Sequence, residues 1–179
     1  MLKIIWGAVL VFPAMVAGNT LSSEQLQQIF TEFQARGTLI VEDQRQERQQ
    51  TLLHNPERAA QRLSPASTFK IPHTLFALDA GVVTDEFQVF RWDGKPHSFA
   101  SHNQNQTLRS AMRNSAIWVY EAFAAAIREE KARQYLQALH YGSADPSGSQ
   151  PYWIDGRLVI SAAEQFTFLK ALYRNELPF

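Results

Sequence analysis

The stretch "LSPASTFKIPHTLFALDAG", residues 63–81, sets the tightest limit on what this chain can become. Phe69, Ile71, Leu75, Phe76 and Leu78 predict a helix from about Ser67 to Ala80, closed by Gly81 in the usual C-terminal position. Lys70 sits among these apolar residues, three places after Ser67. Burying a lysine is costly unless it is paired or neutral, because desolvation penalises the charged form. Either Lys70 snorkels to solvent along its methylene stem, or the fold needs an unusual amine there. The second choice requires a real core. A chain of 179 residues, 45% hydrophobic and 19% charged, is large and apolar enough to form one in a single domain.

Chemistry at this stretch would begin with Ser67. It follows Pro65 and Ala66 and opens the predicted helix, so its hydroxyl and backbone N–H lie at the positive end of the helix dipole. Lys70 comes one turn later on the same face. A serine nucleophile needs a base, and an N–H at a helix start can hold an oxyanion. A capping serine followed by a snorkelling lysine fits the bare S-x-x-K spacing equally well. Ser115, in "RNSAIWVYE", has two readings as well. It caps the helix that follows, or it offers a second hydroxyl that relays a proton. Trp153, in "PYWIDG", is a core aromatic or the donor of an indole N–H to a buried anion.

Other chemistries are poorly supplied. With no cysteine there is no disulfide, thiolate metal site or thiol nucleophile. His97 and His102 read as a solvated loop pair, so no metal set is expected. Among the acids, Glu164 reads as a capping-box residue and Asp145 as a turn residue. Seventeen basic and seventeen acidic residues balance and are spread along the chain, which argues against a nucleic-acid partner or an anionic membrane surface.

The first residues, "MLKIIWGAVLVFPAMVAG", have the layout of a secretory signal peptide. An early cation at Lys3 precedes an apolar run that Pro13 breaks, and cleavage is expected near residue 17 or 18. The run is short for a bilayer anchor, so the mature protein, residues 19–179, is expected to be exported and soluble. Helices are predicted over Ser22 to Arg36, on both sides of a break near Asn114 and Ser115, through "KARQYLQALHYG", and from Ser161 onward. Strands are predicted only for "TLIVED" and "TLLHN", and residues 82–106 read mostly as loop. A two-stranded hairpin is marginal alone, so the chain reads as if it ends in mid-domain, at "RNELPF".

Taken in order, "SPASTFK", "RNSAIWVYE", "YGSADPSG" and "YWIDG" resemble the class D β-lactamases, or oxacillinases, of the serine β-lactamase and penicillin-binding protein superfamily. The likeness runs from about Ser22 to Phe179. It implies an α/β fold, a mixed sheet flanked by helices with an added helical subdomain. It also implies roles: Ser67 as the acylated nucleophile, Lys70 as the active-site lysine, and Ser115 as the serine of the S-x-V motif, with Ile117 in place of valine. Tyr141 and Gly142 match Y-G-N, with Ser143 in place of asparagine, and Trp153 matches the tryptophan that contacts the modified lysine. The family's later K-T-G or K-S-G strand has no counterpart before Phe179, so the domain is expected to be incomplete at its C-terminus.

The resemblance also answers the lysine question. Burial beside Phe69, Ile117 and Trp153 would lower the pKa of Lys70, and the neutral amine can then add carbon dioxide, giving the N-carboxylated lysine known in class D enzymes. No metal or organic cofactor is implied beyond carbon dioxide or bicarbonate. The function implied is periplasmic hydrolysis of β-lactams through an acyl-enzyme. Two alternatives stand beside it: a β-lactam sensor or penicillin-binding domain that releases the drug slowly, and an inactive truncated product prone to aggregation.

Overall fold

A computed structural model of the protein describes residues 22–44 and 50–179. The predicted signal peptide lies outside these residues, as does most of the polar run after "TLIVED". The described residues divide into two units, one ending at Arg36 and the other starting at Gly37. In the first, α1 (Ser23–Glu32) starts from a capping box. The Ser22 hydroxyl accepts from the Gln25 N–H at 3.1 Å, while Gln25 Oε1 accepts from the Ser22 N–H at 2.8 Å. The helix stops short of the predicted Arg36, because Gln34 turns left-handed with φ 48°.

The second unit opens with the predicted hairpin. Strands β1 (Leu39–Asp43) and β2 (Gln50–His54) pair antiparallel with Val41 opposite Leu52. A short helix that the sequence reading did not anticipate, α2 (Pro56–Ala60), follows, with proline in its first turn and Asn55 Oδ1 accepting from the Arg58 N–H at 3.0 Å. A 3₁₀ turn, Ala66–Phe69, leads into α3 (Lys70–Asp79). The expected loop holds two further short strands, β3 (Val89–Phe90) and β4 (Gln106–Thr107), which pair with each other. Four further helices follow, α4 (Leu108–Asn114), α5 (Ile117–Ile127), α6 (Glu129–Ala138) and α7 (Ala162–Tyr173), with turns and loop between α6 and α7. Helix α7 begins with the predicted capping box of Ser161 and Glu164. The mixed helix-and-strand character is as expected. Among the described residues, its strands form two separate two-stranded antiparallel ladders.

Aromatic rings fill the core between α3 and α5. Phe69, Phe76, Tyr120, Phe123, Tyr141 and Trp153 are all buried there. Backbone pairing fixes the segment leading to the 3₁₀ turn. Leu63 and Ile160 exchange both N–H···O bonds, at 3.0 and 2.8 Å, and the Ala66 N–H donates to the Trp153 carbonyl at 3.0 Å. Gly142 makes a neighbouring approach possible. A Cβ on it would lie 1.9 Å from the Val159 carbonyl oxygen, and its φ is +56°. Ser143 then donates to the Arg157 carbonyl at 3.0 Å and accepts from the Val159 N–H at 3.1 Å, so serine ties this turn to the chain returning from Trp153.

Candidate active site

Ser67 and Lys70 meet because the helix begins as a 3₁₀ turn. With three residues per turn, side chains at i and i+3 eclipse, which brings the hydroxyl and the amine together. Lys70 Nζ donates to Ser67 Oγ at 3.1 Å. Lys70 is only 2% exposed, so it does not snorkel. Burial lowers its pKa from 10.5 to about 8. Its ammonium lies 5.4 Å from the centre of the Tyr120 ring. Tyr120 went unnoticed in the sequence, although its position three residues after Ile117 places it one helical turn on.

Ser115 completes the group. Its hydroxyl is 3.0 Å from Ser67 Oγ. Of the two readings of Ser115, the cap for the following helix does not hold. Ala116 occupies that position, with no side-chain cap, and Ser115 instead ends α4 in the left-handed conformation, φ 55° and ψ 39°. The Ala116 N–H bonds to the Ala111 carbonyl and the Ser115 N–H to that of Met112, at 2.9 and 3.2 Å. This pair of bonds is a Schellman turn with serine where glycine is usual. The side chain is therefore free of capping and faces Ser67.

Trp153 is fully buried and stacks on Phe69, with ring centres 5.7 Å apart and planes at 28°. It also meets the ring of His73 edge-on at 5.1 Å. Phe69 and His73 flank Lys70 along the helix, and the buried indole N–H of Trp153 has no protein acceptor. His73 is also fully buried, and neither of its ring nitrogens has a protein partner. Burial, and then the charge of Lys70, pushes its pKa down to about 3, so it is neutral. Ile117 is half-buried as the first residue of α5, two positions from Ser115. The reading of His97 and His102 as a solvated pair is also corrected: their rings are 6.1 Å apart, but His102 is 5% exposed and bonds to the Asn114 carbonyl. No group of three or more His, Asp or Glu residues among the described ones could hold a metal ion.

A nucleophile-like serine, a buried amine and a second serine lie within hydrogen-bond distance, a grouping whose chemistry suits acyl transfer. Residues 22–177 match the penicillin binding protein transpeptidase domain. The structure superposes on a class D β-lactamase from Bacillus subtilis with a TM-score of 0.81 and 42% identity, over 89% of this chain and 67% of that one. The chain belongs to the class D β-lactamases. It is 61% identical over 162 residues to β-lactamase OXA-2 of Salmonella typhimurium, which covers 90% of this chain and 59% of that protein. To OXA-20 of Pseudomonas aeruginosa it is 62% identical, covering 90% and 61%. The chain thus spans about three fifths of the length of these class D relatives. No helix of the described residues is long and apolar enough to cross a membrane.

Proposed function

We propose that the protein hydrolyses the β-lactam ring of penicillin-type antibiotics through an acyl-ester on Ser67, and so confers resistance to them. The observation that carries this reading is the continuous contact from Lys70 Nζ through Ser67 Oγ to Ser115 Oγ, at 3.1 and 3.0 Å. Ser67 Oγ attacks the lactam carbonyl carbon while its proton passes toward the Lys70 side chain. As the C–N bond breaks, the ring nitrogen takes a proton by way of the Ser115 hydroxyl. Water, giving its proton toward Lys70, then attacks the ester carbonyl, and Ser67 leaves with its own proton restored.

Lys70 serves as the base in a carboxylated form. With a pKa near 8, about a tenth of the side chain is a neutral amine at pH 7, against well under a thousandth at the ordinary value. The residues fit such a group: carboxylation needs a neutral amine, and the unpartnered indole N–H of Trp153 suits an anionic oxygen. Once formed, the carbamate supplies an anionic proton acceptor. Trp153 would donate its indole N–H to it, and Phe69 and Ile117 would exclude water. The first 18 residues act as a leader that directs residues 19–179 to the periplasm.

The test is mass spectrometry of the protein after penicillin treatment, run with and without bicarbonate. The expected adduct sits on Ser67, is absent in Ser67→Ala, and turns over faster with bicarbonate. An adduct that survives unchanged in Ser67→Ala overturns the nucleophile, and indifference to bicarbonate overturns the carboxylated base. A lasting adduct without turnover would favour a sensor role; the Bacillus licheniformis regulatory protein BlaR1 is 35% identical over 162 residues, 27% of its length.

A further inference from the structure

Ser115 holds a conformation that serine seldom adopts, and its neighbours on both sides are gripped from one segment. Before it, the Asn114 carbonyl lies 2.9 Å from His102 Nε2. A carbonyl only accepts, so Nε2 carries the proton. The Asn114 side-chain amide donates to Gln106 Oε1 at 3.2 Å, and the Ser110 hydroxyl donates to the same oxygen at 2.7 Å. Gln106 is 1% exposed and is anchored in turn by its own amide, which donates to the Ser101 carbonyl at 2.8 Å. After Ser115, the Trp118 indole N–H donates to the His102 carbonyl at 3.1 Å. The segment Ser101 to Gln106 therefore clasps both ends of the turn that carries Ser115.

A turn of this kind usually relies on glycine at the left-handed position, because a Cβ there costs about 1–2 kcal/mol. Serine supplies the hydroxyl but not the conformational freedom. Without an outside hold, Ser115 would relax toward ordinary helical angles, and its hydroxyl would swing away from Ser67. We propose that His102 and Gln106 are positioning residues for Ser115. They grip Asn114 and so keep the Ser115 hydroxyl against Ser67. This inference rests on the acylation of Ser67 proposed above, and it assigns work to two buried side chains that act through Asn114.

The experiment compares His102→Phe, Gln106→Leu and His102→Gln, each alone and combined with Ser115→Ala. Two readouts are taken: the Cα and Cβ chemical shifts of Ser115, and the rate of labelling by a fluorescent penicillin. Misplacing a reacting group by about 1 Å costs up to about a hundredfold in rate. In His102→Phe and Gln106→Leu, the Ser115 shifts should leave left-handed values and labelling should slow by about tenfold or more. His102→Gln, whose amide can still donate, should restore both. In the Ser115→Ala background the same changes should slow labelling no further, because the hydroxyl they position is gone. Should His102→Phe fail to fold, Trp118→Phe removes the other end of the clasp and is read in the same way. Unchanged Ser115 shifts in the first two variants, or a penalty that persists without the Ser115 hydroxyl, would overturn the inference. Absence of labelling in the wild-type protein would overturn the Ser67 reading instead, and the shifts would still decide this one.

Discussion

Two residues beside Ser67 carry backbone strain. Ala66 has φ 46° and Ser115 has φ 55°, both in the region where L side chains crowd the backbone. Such strain persists only where surrounding structure enforces it, and here the Trp153 carbonyl holds the Ala66 N–H while the clasp on Asn114 holds Ser115. The arrangement trades stability for a placed hydroxyl. Ser115→Gly removes the Cβ penalty and the hydroxyl together. It should raise stability by about 1 kcal/mol, or about 2–4 °C in Tm for a chain of this size, while slowing acylation of Ser67. Thermal unfolding and penicillin labelling of the same preparation check this. A lower Tm would mean that the serine is not strained.

At the scale of elements, what the sequence made legible was local. The hairpin strands show locally in their run of β-branched and aliphatic residues, and the capping box of α7 and the break at Asn114 and Ser115 depend on residues within four positions of one another. So does the pairing of Ser67 with Lys70. The strands β3 and β4 were not legible, because two-residue ladders carry no periodicity and exist only where distant segments meet. Tyr120 and the clasp from His102 were missed for the same reason, since each joins elements far apart in sequence. The end of α7 shows how a legible cap acquires a tertiary partner. Glu164 accepts from the Ser161 N–H at 2.9 Å and from Arg62 Nε at 3.1 Å. The Arg62 guanidinium, and then Ser161, hold its carboxyl down at about 2 against the effect of burial. Because the folded pKa lies below the ordinary 4.5, the contribution is present above pH 4.5 and is lost as pH falls from there toward 2. Glu164→Gln should therefore lower Tm slightly at pH 7 and leave it near wild type at pH 2.5. The pair is partly exposed, so the effect is small. Equal losses at both pH values would show that the charge is irrelevant and only the cap matters.

The core of the second unit is built around a neutral histidine. His73 lies among the rings of Phe69, Phe76, Tyr120, Phe123, Tyr152 and Trp153, with centres 5.1–6.3 Å away. The charged side chain that perturbs it is Lys70, one turn earlier in α3. Burial among the apolar rings disfavours the charged imidazole, and the Lys70 ammonium, where it is not carboxylated, adds to this, which is why the pKa falls to about 3. In the unfolded chain the same imidazole takes a proton near pH 6.5. The unfolded state therefore binds more protons between these values, so stability is complete above pH 6.5 and declines as pH falls toward 3. Each pH unit in that window costs up to about 1.4 kcal/mol. At pH 5 Glu164 is still ionised in both states for the most part, so the two windows separate. His73→Phe replaces the ring with an apolar one of similar shape and removes the proton-binding difference. The urea midpoint of the wild-type protein should drop between pH 7.5 and pH 5, and that drop should be markedly smaller in His73→Phe. An identical drop in both proteins would place the acid sensitivity elsewhere, and would mean that His73 takes its proton without unfolding the core around it.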